Sequence, residues 1–234
     1  MLSRLSLLAW AMVTPALALA DGLVRDLFPE QAWSFEVFLD RKPIGFHTFR
    51  VQETDSGQRV EIEADFNVKV LFIKAFSYEH RNVETWAAGC LEGVASSTRV
   101  NGDPQSLEAT DAGDTFLVRT KNQESRLDRD CVKSFAYWQP SILEAESLLN
   151  SQTGELTDVK VRRAGDEVLD IDGRDIPATR WVLTVPEGDI TLWYGRDTGL
   201  WLGLEAPARG GRTLRYRPVS LPQPPQESPR FGLN

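Results

Sequence analysis

Histidine occurs only at His47 and His80 in this 234-residue chain, and the second belongs to a run that could do chemistry. Tyr78, His80, Asn82, Glu84 and Trp86 recur at every second position, which on a β-strand places all five on one face. An imidazole and a carboxylate so placed could act as an acid/base pair. With His47 they could hold zinc, and they could also hydrogen-bond the polar end of a ligand. Spacing weighs against the first two. Four residues of extended strand separate Glu84 from His80 by about 13 Å, and no HxH or HExxH pattern preorganises a metal, so neither metal nor cofactor is expected. The chain has no GxSxG elbow, Walker loop or dinucleotide fingerprint, and Ser141 is better explained as part of a helix start than as a nucleophile. A polar row beneath a sheet must be satisfied by mutual hydrogen bonds, by water or by a ligand. For His47, Tyr78, His80, Glu84 and Trp86 this leaves a structural network and a ligand-facing site both open.

The elements that position this row are strands. From Trp33 to Leu39 apolar residues alternate with polar ones, residues 40–43 make a turn, and Ile44 to Thr54 reads as the antiparallel partner with His47, Phe49 and Val51 on one face. Gln58 to Phe72 carries the longest alternation, with Val60, Ile62, Ala64 and Phe66 inward. Further strands are predicted over 76–86, 93–100, 105–109, 115–120, 157–163, 178–185, 190–194, 200–206 and 213–219. Turn signals such as Asn101-Gly102, Asp172-Gly173 and Glu187-Gly188 separate them. Short links between successive strands make an antiparallel meander. One segment differs: from Gln139 to Leu149, opened by Pro140 and Ser141, the spacing of Ile142, Leu143, Ala145 and Leu148 or Leu149 predicts a helix of about three turns. Trp193 and Trp201 fall on the opposite parity from the apolar residues beside them, which predicts outward rings.

Ahead of the strands, Arg4, an apolar stretch from Leu5 to Leu17 and the small residues Ala18-Leu19-Ala20 predict a signal peptide over 1–20. The stretch is too short to span a bilayer, and no later apolar run approaches spanning length, so no membrane span is expected in the chain that follows. Export to the periplasm or beyond suits Cys90 and Cys131, the only cysteines, which are expected to form one disulfide worth roughly 2 to 4 kcal/mol. A net charge of −8 with no basic block excludes nucleic acid as a partner. Residues 21–217 are read as one β domain, and 218–234, with five prolines, as a disordered tail.

Several phrases occur together along the chain: Phe35-Glu36-Val37, Pro43-Ile44-Gly45, Gly89-Cys90-Leu91, Ser134-Phe135-Ala136-Tyr137-Trp138, Leu148 to Gly154, and Leu192-Trp193-Tyr194. From about Trp33 to Tyr216 the chain resembles a family of exported Gram-negative bacterial proteins classed only as a domain of unknown function. That resemblance implies a secreted or periplasmic β domain with no established activity and no catalytic residue to carry over. The architecture is also similar to the half-barrel of periplasmic lipoprotein carriers, which hold acyl chains in a concavity.

Together these features predict a mainly β fold, an antiparallel meander forming a half-barrel or open barrel, with one short helix against its concave face. Noncatalytic binding of an apolar or amphipathic, lipid-like small molecule is the favoured function, with His47, Tyr78, His80, Glu84 and Trp86 at the polar end and Phe35, Val37, Phe49 and Phe66 along the tail. A structural or protein-interaction module of the cell envelope comes second. A hydrolase or isomerase using His80 and Glu84 comes third.

Overall fold

Alternation of apolar and polar side chains is a backbone instruction as well as a packing one, because a strand that buries every second residue must lie in a sheet to pair its amides. The computed structural model describes residues 30–70 and 73–222. Its first meander comprises β1 (Glu30–Leu39), β2 (Lys42–Thr54), β3 (Gly57–Val70), β4 (Ile73–Ala87), β5 (Cys90–Val100), β6 (Asp103–Asp111), β7 (Phe116–Thr120) and β8 (Glu124–Leu127). A small hairpin of β9 (Ser147–Leu149) and β10 (Leu156–Asp158) follows. The second meander holds β11 (Lys160–Ile171), β12 (Arg174–Val185), β13 (Gly188–Gly195), β14 (Trp201–Ala208) and β15 (Arg212–Ser220).

The meanders become one sheet because β15 pairs antiparallel with β1, with Val37 opposite Tyr216. The result is a thirteen-stranded sheet in the order β11-β12-β13-β14-β15-β1-β2-β3-β4-β5-β6-β7-β8. Its edges, β8 and β11, do not pair with each other, so the barrel is open. The inward residues of both meanders, among them Phe35, Val60, Leu107, Leu192 and Trp201, share one apolar core with Val132, Trp138, Ile142, Leu148 and Leu149. These last residues belong to the segment 128–159 between the meanders, which therefore fills much of the concavity. The Cys90–Cys131 disulfide, with Cα atoms 5.1 Å apart, ties the start of that segment to the first residue of β5. Beside it the Leu91 amide donates to the Val132 carbonyl at 2.8 Å.

Several expectations change. The helix is a single 3-10 turn, Pro140–Glu144, whose Ile142 is fully buried. Ala145 is extended and Ser147–Leu149 is strand, so both Leu148 and Leu149 can be buried, which one helix face would not allow. The strand expected over 157–163 is split at Val159 between β10 and β11, and β11 then continues to Ile171. Trp201 points inward: a bulge sets Tyr194 opposite Trp201 but Trp193 opposite Gly203, leaving Leu202 as the extra residue turned outward. Trp193 does lie on the outer side, against the small apolar cluster of Ile171, Ala178 and Leu202, and its indole N–H donates to Glu167. Strand β15 runs to Ser220, beyond the boundary expected at 217. The signal peptide expected over 1–20 and the part of the tail at 223–234 lie outside the described residues.

Candidate functional site

Register assembles the polar row. His47 on β2 lies opposite Ala64 on β3, Ala64 opposite His80 on β4, and His80 opposite Thr98 on β5. One rung crosses four strands, with the two histidines two strand spacings apart, about 10 Å, and only a methyl group between them. On neighbouring rungs Phe66 faces Tyr78, Ile62 faces Asn82, and Val60 faces Glu84. Gly45, at the bulge just before His47, is glycine by necessity: its φ is +151°, and a Cβ there would sit 1.8 Å from the Asp65 carbonyl oxygen.

The five side chains singled out by parity all lie on the inner face, but they divide into two groups. Glu84 is 1% exposed. Its carboxylate accepts from the Asn82 amide at 2.8 Å and the Trp86 indole at 2.9 Å. Burial raises its pKa, and these bonds act against that rise. The buried Ser134 hydroxyl is near enough to favour the ionised form, yet its geometry falls short of a hydrogen bond, so it counts for less than the other two. Glu84 and Trp86 are thus engaged by protein groups. His80 turns its Nδ1 to the Thr98 hydroxyl at 2.8 Å, and no hydrogen bond joins it to Glu84. An acid/base couple is not assembled by these contacts. Among the described residues no three His, Cys, Asp or Glu side chains converge as a metal set.

The second group is His47, Tyr78 and His80, joined by Tyr216 from β15. His47 Nδ1 lies 3.0 Å from the Tyr216 hydroxyl, and its ring packs against Phe49 with centroids 4.3 Å apart. Phe66 and Tyr78 stack at 5.4 Å, Tyr78 and His80 at 6.0 Å. The Tyr78 hydroxyl donates to Gln152 Oε1 at 3.1 Å in the β9–β10 turn. Burial depresses the His47 pKa to about 3, with the neighbouring His80 a lesser cause, and depresses that of His80 to about 4. Burial pushes the Tyr78 phenol up to about 12 and the Tyr216 phenol well above its usual range. All four groups are therefore uncharged at neutral pH. His47 keeps some accessible surface, but its Nε2 is buried and has no hydrogen-bond partner among the described residues.

Beyond His47 and His80, toward the β1–β2 turn, a second apolar cluster of Val37, Ile44, Ala64 and Phe66 is flanked by Leu39, Val68, Tyr78, Leu214 and Tyr216, which are only partly buried. At the opposite end the inward residues are covered by segment 128–159. Phe35 and Phe49, expected along a ligand tail, belong to that packed part, where both rings meet Trp201. Val37 and Phe66 belong to the partly open end. Tyr216, Thr98 and Ser134 carried no advance signal, since a lone hydroxyl becomes part of a site only through register.

A wide antiparallel sheet curved around one chain segment without closing, with neutral polar groups on its inner face, defines a β-barrel-like protein. The chain belongs to the family described as Domain of unknown function (DUF6134), whose model matches residues 35–219. Among solved structures it is similar to a β-barrel-like protein of the DUF1849 domain of unknown function from Brucella abortus. That likeness has a TM-score of 0.62 at 10% identity and covers 82% of this chain and 96% of the other, so it speaks for the fold alone. A DUF1329 family protein from Desulfovibrio piger matches at 11% identity over 91% of this chain and 92% of that one, with a TM-score of 0.21, too low to bear on the fold. Comparison with curated proteins finds no match.

Proposed function

We propose that this is an exported, noncatalytic β domain that binds an apolar or amphipathic, lipid-like small molecule at the partly open end of its concavity. The observation that carries the reading is the contrast along the inner face: fully covered apolar side chains at one end, and at the other the partly accessible Leu39, Val68, Tyr78 and Leu214 beside polar groups. Apolar walls with a few convergent polar groups are the usual make-up of a small-molecule site. His47, Tyr78 and His80 meet the polar end of the ligand. Glu84 and Trp86 hold β4 in place from below, and the tail lies along Ile44, Phe66 and Val68 rather than the covered Phe35, Val37 and Phe49. Export is supported by the Cys90–Cys131 disulfide, a bond favoured outside the cytosol.

Native mass spectrometry of purified protein incubated with a lipid extract tests this. A retained species is expected, lost in Val68→Trp, which fills the open end. A protein that keeps no species under any condition overturns the reading. The second reading, a structural or interaction module, draws on the filled remainder of the concavity and on the outer cluster around Trp193. In that case deleting residues 223–234 abolishes capture of an envelope protein while thermal stability stays unchanged.

A further inference from the structure

The rung between the two histidines also bears on what the bound molecule carries at its polar end. His47 uses Nδ1 for the Tyr216 hydroxyl. Were the imidazole to donate there, the phenol proton would need an acceptor of its own, and the described hydrogen bonds offer it none. The phenol is therefore the donor, and the network assigns the ring proton to Nε2. Nε2–H is then a buried donor without an acceptor among the described residues. Leaving such a group unmade costs about 1 to 3 kcal/mol, and folded proteins keep few of them. What is missing beside His47 is an acceptor, and Ala64, the smallest apolar side chain, stands opposite His47 on that rung.

The surroundings limit which acceptor. Phe49, Phe66 and Tyr216 have ring centroids 4.3, 6.1 and 5.6 Å from that of His47, and none carries a charge. His80, beyond Ala64, is neutral. Every ion pair among the described residues joins side chains about a third or more exposed, none of them His47 or His80. A carboxylate or phosphate brought against these rings would lose its water, and none of these neighbouring groups carries a positive charge to offset that cost of several kcal/mol. An ammonium group would find Glu84 already committed to Asn82 and Trp86.

Resting on the binding reading above, we propose that the site takes an uncharged amphipathic molecule, which presents a carbonyl, ester or hydroxyl oxygen to His47 Nε2 and lays its chain along Ile44, Phe66, Val68 and Leu214. Charged head groups on the same chain are discriminated against.

Three probes with one acyl chain and different head-group charge test it by calorimetry below their aggregation concentrations: 1-monopalmitoylglycerol, palmitate and palmitoylcholine. The glycerol ester is expected to bind at least about tenfold more tightly than either charged probe, as one good hydrogen bond would allow. His47→Phe keeps the ring's apolar contacts and removes the donor, so it should erase most of that preference. If His47→Phe does not fold, Tyr216→Phe serves instead. Removing the hydroxyl that fixes the tautomer should also reduce the preference for the ester. Palmitate or palmitoylcholine binding as tightly as the ester would overturn the head-group inference and leave the binding reading standing, as would an ester preference that survives the substitution. Failure of all three probes to bind overturns the binding reading and this inference with it.

Discussion

At Glu84 a residue whose type suits acid/base chemistry is held by its neighbours. Two donors, the Asn82 amide and the Trp86 indole, converge on its carboxylate, and none of the three is more than 2% exposed. Glu84→Ala should leave both donors unpaired and open a cavity, destabilising the fold by about 2 to 4 kcal/mol in urea denaturation. The histidines set the pH dependence. An unfolded chain takes up a proton at each near pH 6.5, whereas the folded chain resists to about 4 at His80 and about 3 at His47. Between those values the unfolded state holds more protons, so stability falls on acidification, by at most about 1.4 kcal/mol per pH unit for each histidine. Glu84 opposes this: its folded pKa is raised above 4.5, so its cost appears as pH rises through that range and is relieved on acidification. Urea midpoints from pH 6.5 down to 4.5 should therefore fall in the parent protein. They should fall less steeply in His47→Phe and more steeply in Glu84→Gln. A flat profile in the parent protein would mean that the histidines are solvated.

Elements differ in how much of their placement a local pattern can carry. The long alternations of β2, β3 and β4 carry nearly all of it, because a period of two held over ten or more residues fits no other structure, and parity then put His47, Tyr78, His80, Glu84 and Trp86 on the inner face. Segment 128–159 was opaque for the opposite reason. Val132, Ala136 and Trp138 alternate with partly buried residues, but further on the adjacent Leu148 and Leu149 are both covered, so no single period runs through the segment. Tyr216 was invisible as a site residue because its contact with His47 spans 169 positions. The same segment makes two stability predictions. Ile142→Ala, at the fully buried point of the 3-10 turn, should cost about 2 to 5 kcal/mol. Replacing Cys90 and Cys131 together by serine should cost roughly 2 to 4 kcal/mol, since the bridge spans 41 residues. Both changes are read from denaturation midpoints, and a near-zero effect of Ile142→Ala would mean that the segment does not fill the sheet.

At the scale of the whole molecule the decisive contact is the seam between β1 and β15, because it converts two meanders into one curved sheet. Without that seam the inner faces would not converge: Phe35 on β1 packs on Trp201 of β14 with centroids 4.3 Å apart, and the Trp33 indole donates to the Trp201 carbonyl at 3.2 Å. One apolar core draws on the strands of both meanders and on the segment between them. A core shared in this way predicts one cooperative unfolding unit, since neither half can keep its inner face covered alone. Val60→Ala, in the first meander, and Leu192→Ala, in the second, remove fully buried side chains on opposite sides of the seam. Each should lower the stability of amides in both β3 and β13 by the same amount, measured by native-state hydrogen exchange under conditions where global opening dominates. If Val60→Ala weakens β3 while β13 keeps its protection, the meanders open separately and the seam is a contact between two units. The partly open end would then be a boundary between them, with His47 contributed by one and Tyr216 by the other.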